Sequence, residues 1–225
     1  VTNGVLKTGS TAGQDGYIRV NGGAVSLGSG NADFLNVGST NNYGSLHISG
    51  GSLATRRTGT SGQVYAKLGL TANTAADVYV DGGILDLWNE RLGVGDWTSS
   101  GVSGGRASLT VDGDGRVVVN TIALGRTGSG NDAVVNLNGG RLELTKQMAN
   151  YGNTGNANFV NFDGGTLALV RDSRPPADIA ALGPAGEKVV YPGGATIEVP
   201  AGISAPVSAT FRTAKGWGVA EISLT

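Results

Sequence analysis

A glycine step, Gly-Gly in six copies and Gly-Asp-Gly in one, recurs seven times between short alternating runs in 225 residues, and it leaves this chain few architectures. The clearest copies read YIRVNGGAVSL (Tyr17–Leu27), LHISGGSLAT (Leu46–Thr55) and VYVDGGILDL (Val78–Leu87). LTVDGDGRVVV (Leu109–Val119), VNLNGGRLEL (Val135–Leu144), VNFDGGTLAL (Val160–Leu169) and a worn VYPGGATIEV (Val190–Val199) follow. Their first glycines lie 28, 32, 31, 26, 25 and 29 residues apart. Constant strands with spacers of varying length are the sequence mark of a solenoid, in which each coil packs on its neighbours and loops grow freely.

Each copy predicts two strands around a corner. Ile18/Val20, Leu46/Ile48, Val78/Val80, Leu109/Val111 and Val135/Leu137 alternate with polar residues before the glycines. Val25/Leu27, Leu85/Leu87, Val117/Val119, Leu142/Leu144 and Leu167/Leu169 do the same after them. Period two buries one face of a strand and wets the other. A third piece follows as Asn36-Val37-Gly38, Lys67-Leu68-Gly69, Arg91-Leu92-Gly93 and Ala123-Leu124-Gly125. No helical period intervenes. The expected fold is all-β: a single right-handed parallel β-helix of about seven three-strand coils. Residues 1–170 hold the coils; 171–225 hold the last coil and a C-terminal cap, in one continuous domain. In that last part Pro192, Pro200 and Pro206 cannot donate ladder hydrogen bonds and belong at an edge.

The corner explains the glycines, because a sharp bend often needs φ > 0. Asn21, Ser49, Asp81, Asp112, Asn138 and Asp163 precede them, and stacking would turn these into a ladder of short polar side chains. Gly113-Asp114-Gly115 carries one extra residue and predicts a bulge.

Composition enters as a set of exclusions. Forty glycines without a Gly-X-Y period rule out collagen, and 39% hydrophobic residues in alternating runs argue against disorder. A net charge of −1 provides no basic field, so neither nucleic acid nor membrane insertion is expected. There is no cysteine, which removes disulfides, thiolate chemistry and Cys-ligated zinc. No apolar run nears the roughly 18 residues of a membrane span. Together with a start that has no signal peptide, this reads as a mature chain or excised module from a secreted or cell-surface protein.

The copies resemble the β-strand repeats of bacterial autotransporter passengers, with their "xLxxxGGxLxL" wording. VNFDGGTLAL, VVYPGGATIEV and GVAEISLT near the C-terminus carry the likeness most strongly. The resemblance implies a parallel β-helix and export. The fold and the aromatic placement also resemble the parallel-β-helix type of carbohydrate-binding module attached to xylanases. That likeness implies a polysaccharide ligand and covalently linked catalytic or surface modules.

Residues that carry chemistry are sparse. His47 is the only histidine and has no carboxylate partner in the local sequence, so it reads as a surface residue. A glycosidase needs two converging carboxyls. Asp86 and Glu143 share an outward column, but Val118 lies between them. No catalytic residue, metal site or cofactor is expected, and the chain reads as no enzyme. Aromatics concentrate more informatively. Tyr43, Tyr65, Tyr79, Trp88 and Trp97 fall within one stretch, and alternation turns Tyr79 and Trp88 toward water. Apolar sugar faces stack on such rings, while Asn, Asp, Glu and Arg bond the hydroxyls. Trp88-Asn89-Glu90-Arg91 and Asp96-Trp97 supply both parts. The leading expectation is therefore a non-catalytic module binding a plant cell-wall polysaccharide, most readily a xylan-like β-glycan. A structural stalk or adhesin fragment stands second, and a polysaccharide lyase or hydrolase third.

Overall fold

The computed structural model describes residues 6–9, 11, 13–27, 35–39, 41–55, 65–69, 73–95, 105–125, 131–150, 157–170, 187–201, 210–214 and 222–225. Among them there is no helix. Seventeen strands run in order from β1 (Leu6–Thr8), β2 (Gly16–Leu27), β3 (Leu35–Val37), β4 (Tyr43–Thr55) and β5 (Tyr65–Leu68). Then come β6 (Ala75–Val80), β7 (Ile84–Val94), β8 (Arg106–Asp112), β9 (Arg116–Leu124), β10 (Asp132–Asn138) and β11 (Arg141–Asn150). The series ends with β12 (Asn158–Phe162), β13 (Thr166–Leu169), β14 (Glu187–Val190), β15 (Ala195–Glu198), β16 (Phe211–Thr213) and β17 (Ile222–Leu224).

Every strand pairing is parallel, and the pairings sort the chain onto three sides. Side A stacks the first half of β2 on the first half of β4, followed by β6, β8, β10, β12, β14 and β16. Side B stacks the second halves of β2 and β4 on the start of β7, then β9, β11, β13, β15 and β17. Side C runs through β1, β3, β5 and the ends of β7, β9 and β11. The molecule is a parallel β-solenoid of about five turns whose three sides are all strand. Beyond β11 the described rungs continue on sides A and B.

Alternation fixes the interior. Leu46, Ile48, Val80, Leu109, Val111, Val135, Leu137 and Val160 are fully shut from solvent, as are Leu85, Leu87, Val117, Val119 and Leu142 on side B. Burying each such side chain stabilises the fold by about 1.5–3 kcal/mol before entropy is charged against it. One inward position breaks the rule. Lys188 lies between Val160 and Phe211 in the ladder and is only 1% exposed. Burial pushes its ammonium below the ordinary lysine range.

The A–B corner shows why glycine is needed there. Gly23 and Gly51 hold φ of 70° and 68° in adjacent coils. A Cβ on Gly23 would meet nothing within 4 Å, whereas one on Gly51 would lie 2.2 Å from the Gly23 carbonyl oxygen. The outermost coil needs the residue for its dihedral alone; the next needs it for dihedral and space.

Three details depart from the sequence reading. Leu68 pairs with Val94, which makes Gly95 (φ 72°) the third-corner glycine rather than Gly93. The cause is a register shift between Leu87 and Arg91 that delays side C in that coil. The extra residue at Asp114 closes a turn, with the Gly115 amide donating to the Asp112 carbonyl at 2.7 Å, instead of bulging the ladder. Pro192 sits in another turn at the A–B corner, where the Gly194 amide donates to the Tyr191 carbonyl at 2.9 Å. Most of the cap assigned to 171–225, including Pro206 and Trp217, lies outside the described residues.

Candidate functional site

Side A presents its outward residues in columns, because parallel register puts like positions on top of one another. One column runs Arg19, His47, Tyr79, Thr110, Asn136, Asn161. Its C-terminal part is an amide ladder: Asn136 donates to Thr110 Oγ1 at 3.1 Å and Asn161 donates to Asn136 Oδ1 at 2.8 Å. Its N-terminal part couples to the acids of the neighbouring column. Arg19 donates to His47 Nδ1 at 3.3 Å. A guanidinium can only donate, so Nδ1 accepts and Nε2–H is left to donate to Asp81, 3.1 Å away. Tyr79 packs its ring against His47, with centroids 5.1 Å apart, and donates its hydroxyl to Asp112 at 2.7 Å. That bond, reinforced by burial, pushes the Tyr79 phenol up to about 12.

His47 therefore does have a carboxylate partner. Sequence reasoning missed it because Asp81 lies one coil onward. The short polar residues before the glycines form only part of the anticipated ladder. Ser49 donates to Asn21 Oδ1 at 2.9 Å, while Asp81 and Asp112 turn sideways to His47 and Tyr79.

At the N-terminal end of side A stands the most exposed large ring among the described residues. Tyr17 is 72% exposed, and its centroid lies 5.7 Å from that of Tyr43 at an interplanar angle of 56°. Burial, followed by a hydrogen bond to Asp77, raises the Tyr43 phenol above its ordinary range. Ser108 donates to the same Asp77 from the next coil. Tyr17 was not among the sequence candidates, because aromatic density was sought between Tyr43 and Trp97. Its alternation with Ile18 and Val20 was the available signal.

Trp88 occupies a different place. It follows Leu87 at the B–C corner, 38% exposed, with its amide donating to Asp86 Oδ1 at 3.2 Å. The irregular register there stacks it near Asn120 and Thr145; Asn120 donates to Thr145 Oγ1 at 3.1 Å. Four residues of side B and the A–B corner separate it from Tyr79, so the structure does not gather the two into one platform. Glu90 is buried at 4% exposure and Arg91 is half-buried, its backbone paired with Tyr65. Asn89 and Tyr65 are placed by their backbones alone, and Asp96 and Trp97 lie outside the described residues.

Side B's outward column is closed by ion pairs. Glu143 stands opposite Val118, as Asp86 does on the other flank. Arg116 grips Glu143 with two bonds of 2.9 and 2.7 Å, and Arg141 adds one of 2.8 Å. Arg141 also reaches Glu198 at 2.6 Å. Burial pushes the Glu143 carboxyl up, yet the two guanidinium groups outweigh it and hold the carboxyl below its usual range. Glu198 is lowered chiefly by its bond from Arg141. An open groove of about 370 Å³ runs beside this pair, walled by Leu169, Val199 and Thr225.

No protein-family model matches the chain, and neither curated proteins nor solved structures give a significant match.

Proposed function

We propose that the chain is a non-catalytic module that binds a plant cell-wall polysaccharide, a xylan-like β-glycan, on the outward face of side A. The observation that carries this reading is the exposed Tyr17 ring beside Tyr43, at the end of a strip of histidine, tyrosine, asparagine and carboxylate groups. Exposing a ring of this size forgoes a few kcal/mol of burial. A sugar's C–H face recovers that loss, and the strip supplies acceptors and donors for the hydroxyls. Trp88 at the B–C corner is a second stacking position. In this reading the solenoid is right-handed, carries seven copies closed by a cap, and is exported as a part of a larger extracellular protein bearing catalytic or surface modules. The likeness to autotransporter repeats and to xylanase-linked β-helices supports both halves.

Affinity electrophoresis and isothermal titration against xylan, mixed-linkage glucan, cellulose and pectin test it. Tyr17→Ala, Trp88→Ala and Trp97→Ala separate the three aromatic positions. Loss of retardation in one places the site; absence of retardation by any polysaccharide ends the proposal. A structural stalk is the second reading. It is favoured by the unbroken parallel ladder, which runs on to β16 and β17 beyond the aromatic strip. It predicts no glycan affinity at all.

A further inference from the structure

We infer that side A takes glycans that carry no carboxylates and turns away uronic-acid chains; this deepens the glycan-binding reading above and rests on it. The overall charge of −1 hides an uneven distribution. Around the rings of Tyr17, Tyr43 and Tyr79, the outward groups of side A include Asp15, Asp77, Asp81 and Asp112, with Arg19 as their near cation. Arg106, in the fourth rung, is paired with Asp132 at 3.5 Å and adds no surplus. The strip is therefore acidic over the rungs where the aromatics stand.

Asp81 and Asp112 keep acceptor positions beyond the bonds they already accept. Asp81 takes the His47 proton on both oxygens at 3.1 Å, and Asp112 divides its oxygens between the Tyr79 hydroxyl and the Gly113 amide. A carboxylate has room for about four hydrogen bonds, so hydroxyl donors from a neutral sugar can still bind. A uronic chain would instead place a negative charge on every residue over this strip. Like charges brought together at an interface oppose binding strongly and act as a filter against the wrong partner. Parallel stacking repeats the columns at about 4.8 Å along the solenoid, so a chain lying over several rungs meets several of these acids at once.

The test is isothermal titration of the intact chain with a neutral xylo- or gluco-oligosaccharide and with an oligogalacturonate of equal length, at low and high salt. The neutral oligomer should bind at least about tenfold more tightly at low salt, a difference of about 1.4 kcal/mol. The gap should narrow at high salt, where exposed charges are screened. The double variant Asp81→Asn, Asp112→Asn should recover oligogalacturonate binding several-fold without weakening the neutral ligand to the same extent. Salt dependence in the wild type makes the test independent of that variant's folding. Oligogalacturonate binding as tightly as the neutral oligomer at low salt would overturn the inference while leaving glycan binding intact. If neither oligomer binds, the glycan-binding reading falls and this inference falls with it.

Discussion

Sides A and B are built on one alternation and one set of glycine corners, yet their outward columns end in different surroundings. On side A, His47, Tyr79, Thr110 and Asn136 are half-buried and bond along the surface, with Tyr17 exposed beside Tyr43 at the end. On side B the matching column holds Val118 at 3% exposure, Glu143 at 5% and Ala168 at 1%. The difference is one of reach. Arg116 and Arg141 stand two positions before this column on adjacent rungs, and their long arms fold over it to meet Glu143. On side A the long cations Arg19 and Arg106 reach His47 and Asp132 instead, and Tyr79, Thr110 and Asn136 stay half-exposed. Period two assigns a direction, and the reach of neighbouring side chains decides whether that direction meets water.

Glu143→Ala removes the shared acceptor of two half-exposed guanidinium groups, of which Arg141 keeps Glu198, and should cost about 2 kcal/mol in urea unfolding, with the core otherwise unchanged. A loss within a few tenths of a kcal/mol would show that the network only decorates side B. The same network sets an acid limit. The folded carboxyls of Glu143 and Glu198 are held below their usual range, so their contribution is complete above the unfolded value of about 4.3 and is lost as pH falls through the folded one. Unfolding midpoints measured from neutral to acid should fall less steeply in Glu143→Gln than in the wild type.

The corner that joins the two sides provides the next measurement. Gly51→Ala should destabilise by about 2 kcal/mol more than Gly23→Ala, since both strain φ but only the former drives a Cβ into backbone. Equal costs would mean the first coil can yield. Lys188→Met should raise stability by about 1 kcal/mol at neutral pH, because burial already disfavours the ammonium there. Its sign can be checked in the wild type: a depressed lysine penalises folding below the folded value, and the penalty fades as pH climbs toward the unfolded one, about 10.4. The smallest stability effect belongs to Tyr17→Ala, within about 0.5 kcal/mol, although glycan retardation should drop in that variant. A large stability loss would reassign Tyr17 to packing.

Much of the fold was legible because glycine and alternation are local signals. Leu46, Ile48, Val78 and Val80 could be turned inward from their own neighbours, and all four are buried. Side C was harder to read. Its strands are only three or four residues long where they stand alone, and in the third coil the shift between Leu87 and Arg91 moved the corner from Gly93 to Gly95. The candidate site was legible only where it stayed within a strand. Trp88 and Tyr79 were correctly placed outward, but their separation depends on where the A–B corner bends. The Arg19–His47–Asp81 chain and the grip on Glu143 join residues a full coil apart, which no local pattern registers.

Each strand pairs with partners 23 to 32 residues away along the chain, a span of the same order from the first described rung to the last. Every new coil thus closes a loop of nearly the same size onto a finished edge, at nearly the same entropic cost. Such a chain can order itself progressively while it is being made, each coil docking once the following thirty or so residues are free, with no distant terminus to await.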